Sequence, residues 1–369
     1  MNLLYVSLSY IPSRRASSVH VMRMCAALSR AGHAVTLVGK RSNDPPETAL
    51  DDHAFYGVAP TFSVEKLPRP KWRGGGVVFA AEIARKLLSQ RRRVDLVYSR
   101  ELIGALLAAE LRMPVVFESH GVPTERAQRA AMRRLASHPS LRGLVVISDA
   151  LRRDLIAEGM VPRGKPVVIA HDAADAPGAL GASRPDNLRP RIGYVGNLYA
   201  GRGIELIFEV AKRVPEYDVE LVGGTEADLA KWRAYGLPSN VRLAGFVTPA
   251  HLRERYQSFD VLLMPHPRTG VAAATGIDIS RWTSPMKMFE YMASGTPIVA
   301  SDLPVLGEVL THERNALIAP ADDVHAWEGA VRRLCQDRTL ARSLASQAFD
   351  DLVRGYTWDA RVRKIFDGL

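Results

Sequence analysis

The chain of 369 residues starts the same construction twice. Asn2 to Ser9 reads as a strand, Tyr10 to Ser18 as a loop, and Val19 to Ala31 as a helix. Gly32-His33 then turns the chain into a second strand, Ala34 to Gly39. At Arg191 to Val195 a strand again runs into a loop, Gly196 to Gly203, followed by a helix, Ile204 to Arg213. A strand that returns through a helix pairs in parallel, and parallel sheets are covered by helices on both faces. Two such starts, in a chain long for one core and comfortable for two, predict two α/β halves.

The rest of each half continues the alternation. In the first, Asp95–Ser99, Pro114–Glu118, Gly143–Ser148 and Lys165–Ala170 read as strands. Val77–Arg93, Glu101–Leu111, Thr124–Ser137 and Asp149–Glu158 read as helices. Residues 41–76 read as a polar, loop-rich stretch ending in Gly74-Gly75-Gly76. Residues 173–189, rich in Ala, Gly and Pro, read as a linker between a domain of residues 1–172 and one of residues 190–356. In the second half Asp260–Pro265 is a strand running into His266-Pro267.

The most informative stretch is Ser284 to Asp302. Ser284 suits a helix N-cap and Pro285 the first helical position, and Gly295-Thr-Pro stops the helix. A helix start has unsatisfied N–H groups and partial positive charge, which suits a phosphate. Lys287 adds a full charge in the first turn, and Glu290, three residues on, shares its face and could accept from two sugar hydroxyls. A plain capped helix with an exposed ion pair explains the same residue types. The Gly196–Gly203 loop is a second candidate phosphate cradle, weak as a bare pattern.

The whole segment, Ser-Pro-x-Lys-x-Phe-Glu-Tyr-Met-Ala-x-Gly-x-Pro-Ile-Val-Ala-Ser-Asp, resembles the donor-binding segment of retaining glycosyltransferases of family 4. That resemblance implies the GT-B fold: two Rossmann-like parallel-sheet domains facing an interdomain cleft, with a final helix, residues 357–369, crossing back to the first. It implies a nucleotide-sugar donor, UDP- or GDP-linked, and no metal requirement. Glu290 would hold donor hydroxyls, with Ser284, Pro285 and Met286 beside the diphosphate. Gly196, Asn197 and Arg202 match the family's diphosphate loop, although Asn197 stands where Arg is usual. Phe246 and Val247 match its loop beside the base. The family's second Glu is replaced by Trp282, which leaves Asp278 as the nearest acidic substitute. His120, just past a strand end, would orient donor sugar or acceptor, and Arg202 and Lys287 would stabilise the leaving phosphate. Ser13, Arg14, Arg15, Ser17 and Ser18 are candidates for the acceptor side; a solvated basic loop explains them equally.

Charge bears on partners. Residues 1–170 hold 26 Lys+Arg against 14 Asp+Glu, a net of +12, while the rest nets −2. Nucleic acid, a membrane surface or an acidic substrate would each suit such asymmetry, but no nucleic-acid-binding motif accompanies it. Arg85–Arg93 and Arg126–Arg134 lie in helical stretches with apolar residues interleaved: Val78, Phe79, Ile83 and Leu87, then Met132 and Leu135. These read as basic faces for an anionic leaflet, or as solvated helix faces. Two lone cysteines, no long apolar span and no leader-like start point to a cytoplasmic enzyme on the inner face of the plasma membrane, with a glycan or lipid-linked acceptor. An epimerase of the same fold, needing no acceptor, and a non-catalytic binding module are the rival readings.

Overall fold

The computed structural model describes residues 1–42, 51–68, 75–176, 189–270 and 278–369. They form two compact units, Met1–Asp172 with Trp358–Leu369, and Ala173–Thr357. The first unit alternates β1 (Asn2–Ile11), α1 (Ala16–Arg30), β2 (Ala34–Arg41), α2 (Asp52–Tyr56), β3 (Ser63–Leu67), α3 (Gly75–Gln90) and β4 (Leu96–Ser99). It continues with α4 (Leu102–Glu110), β5 (Val115–Ser119), α5 (Arg126–Ser137), β6 (Leu141–Val146), α6 (Asp149–Ala157) and β7 (Val167–Ile169). The second unit runs β8 (Arg191–Val195), α7 (Ile204–Arg213), β9 (Asp218–Val222), α8 (Glu226–Tyr235), β10 (Val241–Gly245), α9 (Leu252–Gln257) and β11 (Val261–Met264). Then come α10 (Met286–Ser294), β12 (Ile298–Ser301), β13 (Leu317–Ala319), α11 (Val324–Gln336) and α12 (Arg338–Gly355). The last helix, α13 (Trp358–Asp367), belongs to the first unit and packs on α1.

The strand orders are β3-β2-β1-β4-β5-β6-β7 and β10-β9-β8-β11-β12-β13. Every strand pair is parallel. Both sheets therefore reverse order beside their first strand, between β1 and β4 and between β8 and β11. Such a reversal splays the flanking loops and opens a crevice at the carboxyl ends of the strands, where doubly wound folds bind ligands. Central strands are buried throughout, as in Val115–Ser119 and Ile298–Ser301. The second unit's core joins Ile192 and Tyr194 of β8 to Ile207 and Phe208 of α7 and Trp327 of α11.

Four expectations change. Residues 41–76 are not simply loop: α2 and β3 lie there, with β3 pairing in parallel with β2. β3 is a short edge strand of Ser, Val, Glu, Lys and Leu, only part-buried, so no apolar run marks it. Gly75 and Gly76 open α3; Gly74 lies outside the described residues, as do residues 177–188 of the expected linker. The helix α8 was not foreseen, although Thr225 and Asp228 form a capping box ahead of it. Most of the apolar residues named on the two basic helices face inwards: Phe79, Ile83, Leu87, Met132 and Leu135 are core residues and Val78 is half-buried, while Val77 and Leu88 of α3 are exposed. Much of the charge is paired, Arg85 with Glu82, Lys86 with Glu65, Arg129 with Glu158 and Arg134 with Glu110. The apolar spacing that suggested a lipid-facing stripe is the ordinary 3.6 period of helices seated on a sheet.

Candidate active site

In the second unit the crevice between β8 and β11 collects the phosphate-type residues. β8 ends at Val195, and the loop that follows crosses the edge of the sheet at Gly196. A Cβ built there, at φ +153°, would lie 2.9 Å from Lys287 Nζ, so the bare backbone comes close to that side chain's end. Gly203, at φ +73°, is tighter still, with its would-be Cβ 1.8 Å from Pro265 O at the end of β11. Two loops far apart in sequence are thereby pressed together around Lys287 and Arg202.

Both cations rest on tyrosines. Lys287 Nζ donates to Tyr194 Oη at 2.8 Å and lies 4.2 Å from that ring's centre. Arg202 bonds Tyr199 Oη and sits 4.7 Å over its ring. Neither contact neutralises a positive charge. Burial, then the neighbouring Arg202, hold the Lys287 ammonium well below its usual range, opposed by Glu290. His266, just after β11, is 2% exposed, and neither ring nitrogen meets a partner among the described residues. Burial, Lys287 and Arg202 push its pKa well down, so it stays neutral. A pocket with an excess of positive charge and donors suits a di-anion.

The start of α10 differs from expectation by one residue. Pro285, not Ser284, is the cap, with φ −76° and ψ 119°; Met286 is the first helical residue, and no side chain caps the end. Proline fixes φ and offers no side-chain oxygen; Met288 N bonds Pro285 O at 2.9 Å, which leaves the amides of Met286 and Lys287 for another acceptor. Ser284 is buried just before it. Glu290, one turn along, accepts from Tyr256 Oη at 2.6 Å, which fixes its carboxylate. Asp278 is committed to its loop, accepting from Gly270 N at 2.9 Å and from Ser280 N and Oγ at 2.9 and 2.6 Å. Asp278, expected at the donor sugar, is exposed and carries these three loop contacts. Trp282 donates its backbone N–H to Ile279 O. Asn197 is exposed, and its carbonyl accepts from Tyr194 Oη at 2.8 Å. Phe246 and Val247 follow the edge strand β10, both half-buried, two strands from Gly196.

In the first unit the loop after β1 mixes support with exposure. Ser13 is buried, its backbone bonded to Tyr56 Oη, and Ser18 is buried with Oγ donating to Tyr10 O at 2.8 Å. Those two brace the loop and do not present hydroxyls to an acceptor. Arg14 and Arg15 are exposed, and Ser17 half-buried. Arg100, just after β4, donates to Ser17 O at 3.3 Å and to His120 Nδ1 at 3.2 Å.

His120 is held from both sides. A guanidinium can only donate, so Nδ1 accepts, and the proton sits on Nε2, facing Glu118 Oε1 at 2.6 Å. Burial, then Arg100, lower its pKa to about 4. The ring is a fixed neutral imidazole, unsuited to donating a proton near neutrality. Glu118 is wholly buried and meets Tyr98 Oη, His20 Nε2 at 3.1 Å and Arg361 at 3.1 Å. Burial alone would push its pKa up; Arg361 and the histidines outweigh that and hold it well below the carboxylate range. His20 also lies 3.0 Å from Asp172, though neither approach to its ring nitrogens has hydrogen-bond alignment.

His20, Glu118 and His120 come close enough to hold a metal ion, a cluster sequence reading did not anticipate. The donor set argues against that use, because Arg361 and Arg100 already supply two cations to Glu118. His20, Glu118, Arg100, Arg361, Tyr256 and His266 all escaped the sequence reading. Several act through partners far along the chain, 190 positions for Arg361 and His171 and 34 for Tyr256 and Glu290, which no local pattern announces.

Comparison with known proteins agrees with this arrangement. Residues 17–171 match the model of Glycosyltransferase Family 4, and residues 189–337 that of Glycosyl transferases group 1. A glycosyltransferase of Methanocaldococcus jannaschii is 24% identical over 93% of this chain and 90% of its own. The phosphatidyl-myo-inositol mannosyltransferase of Mycolicibacterium smegmatis is 24% identical over 94% of this chain and 89% of its own. Among solved structures, Anabaena HepE in complex with UDP superposes with a TM-score of 0.72 at 15% identity, covering all of both chains. With a family model on each half, two parallel-sheet units and a cationic crevice in the second, the chain belongs to glycosyltransferase family 4, has the GT-B fold, and is a glycosyltransferase.

Proposed function

We propose that this enzyme transfers a sugar, with retention of anomeric configuration, from a nucleotide-sugar to a hydroxyl of a lipid-linked or surface-polysaccharide precursor. The observation that carries the reading is the crevice of Gly196, Arg202 and Lys287 at the uncapped start of α10, with Glu290 fixed one turn on. The diphosphate would lie against Arg202, Lys287 and the amides of Met286 and Lys287, whose charge matters most as the glycosidic bond breaks. An arriving di-anion favours the ammonium form of Lys287, so binding restores the charge that burial suppresses. Glu290 holds donor hydroxyls. The leaving diphosphate takes the acceptor proton as the acceptor attacks from the same face, and the basic groups stand in for the divalent ion of other transferases. UDP is the first nucleotide to try, because HepE, of similar fold, binds it.

The acceptor reading has two supports: a relative named for mannosyl transfer to phosphatidyl-myo-inositol, and the net +12 of residues 1–170. With Phe79, Ile83, Leu87, Met132 and Leu135 buried, attraction to an anionic inner leaflet would rest mainly on charge, and high salt should weaken it strongly. Among the described residues no helix is long and apolar enough to cross a membrane.

The test begins with a nucleotide-sugar panel read by thermal shift, since a bound donor stabilises the fold by mass action. Against the donor found, Glu290→Ala should weaken binding by about 2–3 kcal/mol, the scale of charge-assisted bonds. NMR of the first-formed product should show the donor's anomer, and EDTA should leave turnover intact. Near-wild-type affinity in folded Glu290→Ala removes the site assignment. An inverted product removes the mechanism, and loss of activity on chelation, restored by Mn²⁺, removes metal independence.

A further inference from the structure

The last helix sends one charged side chain back beneath the first unit's sheet. Arg361, on α13, is 2% exposed. Its Nε donates to His171 O at 2.9 Å and its Nη2 to Ala170 O at 3.3 Å, while Nη2 lies 3.1 Å from Glu118 Oε2. Nη1 touches Met24 Sδ at 3.3 Å. The guanidinium thus fills one side of Glu118, and the other carboxylate oxygen faces His120 Nε2 at 2.6 Å. His120 in turn offers Nδ1 to Arg100. The four groups form a chain of contacts: Arg361 2% exposed, Glu118 buried, His120 27% exposed in its side chain and Arg100 11%.

Each link fixes the next. A buried carboxylate without a counter-ion would protonate or drag in water. Paired with Arg361 it stays an acceptor, so His120 must keep its proton on Nε2 and present a lone pair at Nδ1. That lone pair, with Ser17 O, sets the plane of the Arg100 guanidinium at the carboxyl end of β4.

We propose that Arg361 is a positioning residue of the transferase, acting through Glu118 and His120 to aim Arg100 at an oxygen of the substrate held by the first unit. In this arrangement His120 is a hinge pin for Arg100 and exchanges no proton. The proposal rests on the transferase reading for its kinetic effect, but its geometric content does not.

Two measurements separate those parts. The first is ¹⁵N NMR of the histidines at neutral pH, assigned with His120→Gln. Wild type should show His120 as the Nε2–H tautomer, and Arg361→Met or Glu118→Gln should shift it to a mixture. The second uses the donor found by the panel, with UDP as the binding probe. Glu118→Gln and Arg361→Lys should lower kcat about a hundredfold, the scale of a misplaced reacting group, while UDP affinity stays within about twofold, because UDP is expected on the other unit. Arg361→Lys keeps the charge and loses the fork, so it should fold where Arg361→Met fails and still misplace Arg100. Unchanged kcat in folded Glu118→Gln and Arg361→Lys overturns the proposal, as does an Nδ1–H tautomer in wild type. If the wild type transfers no sugar from any donor while the tautomer behaves as stated, the transferase reading fails and the positioning of His120 stands.

Discussion

Lys287 is the residue where the proposed function and the stability of the fold pull apart. It is held mostly out of water near a second cation, Arg202, and a tyrosine hydroxyl is its only close polar contact among those described. Burial and the repulsion of Arg202 outweigh the attraction of Glu290, and replacing such a group by an apolar side chain of similar length tends to stabilise. Lys287→Met should therefore raise the melting temperature by a few degrees, equivalent to about 1 kcal/mol, and at the same time abolish nucleotide-sugar binding. Calorimetry with and without the donor reads both effects. A lower melting temperature in the substituted protein would mean that the ammonium is a structural group.

At the scale of elements, the loop from Gly196 to Gly203 packs its backbone against the end of β11. Gly203→Ala must push Pro265 O away and hold a left-handed φ, so the variant should lose about 2–3 kcal/mol and its affinity for UDP together. Gly329, inside α11 with nothing within 4 Å of a built Cβ, is the contrast: Gly329→Ala should gain about 0.5–1 kcal/mol. Urea unfolding of the pair checks the difference; equal effects would show that packing at Gly203 is looser than the distances state. These elements also show what a sequence can disclose. β5, β8 and β12 are apolar runs and α7 is bounded as expected, because sheet interiors and helix periods are local properties. The Lys287–Glu290 spacing and the Gly196–Gly203 pattern could be read from the sequence because each lies within one short segment. β3 was hidden by its polar, half-exposed edge, and the line from Arg361 to Arg100 by joining side chains that only the fold makes neighbours.

For the whole molecule, the buried charges set a pH preference. His120, with a pKa of about 4, and His266, also lowered, refuse protons that the unfolded chain takes up near pH 6.5. The unfolded state then binds more protons between those values, so stability should fall as pH drops from about 6.5 towards 4. Glu118 and Asp172, both lowered, add to the loss further down, as protonation of the folded carboxylates begins. Lys287 acts in the same direction at the alkaline end, where stability should still be rising with pH. The urea midpoint should thus be higher at pH 7.5 than at pH 5, and a His120→Gln, His266→Asn double variant should show a flatter profile. An unchanged slope would locate the acid sensitivity elsewhere. The return of α13 has one more consequence, for synthesis. The ribosome releases residues 1–172 long before Trp358–Leu369, so the first unit emerges with Glu118 lacking the guanidinium that neutralises it. It can finish its interior only when the last dozen residues arrive, after the second unit has been made. A chain cut short anywhere before that point leaves Glu118 with Arg100, 3.9 Å away, and without the Arg361 guanidinium, and should be a better substrate for proteolysis than the full chain.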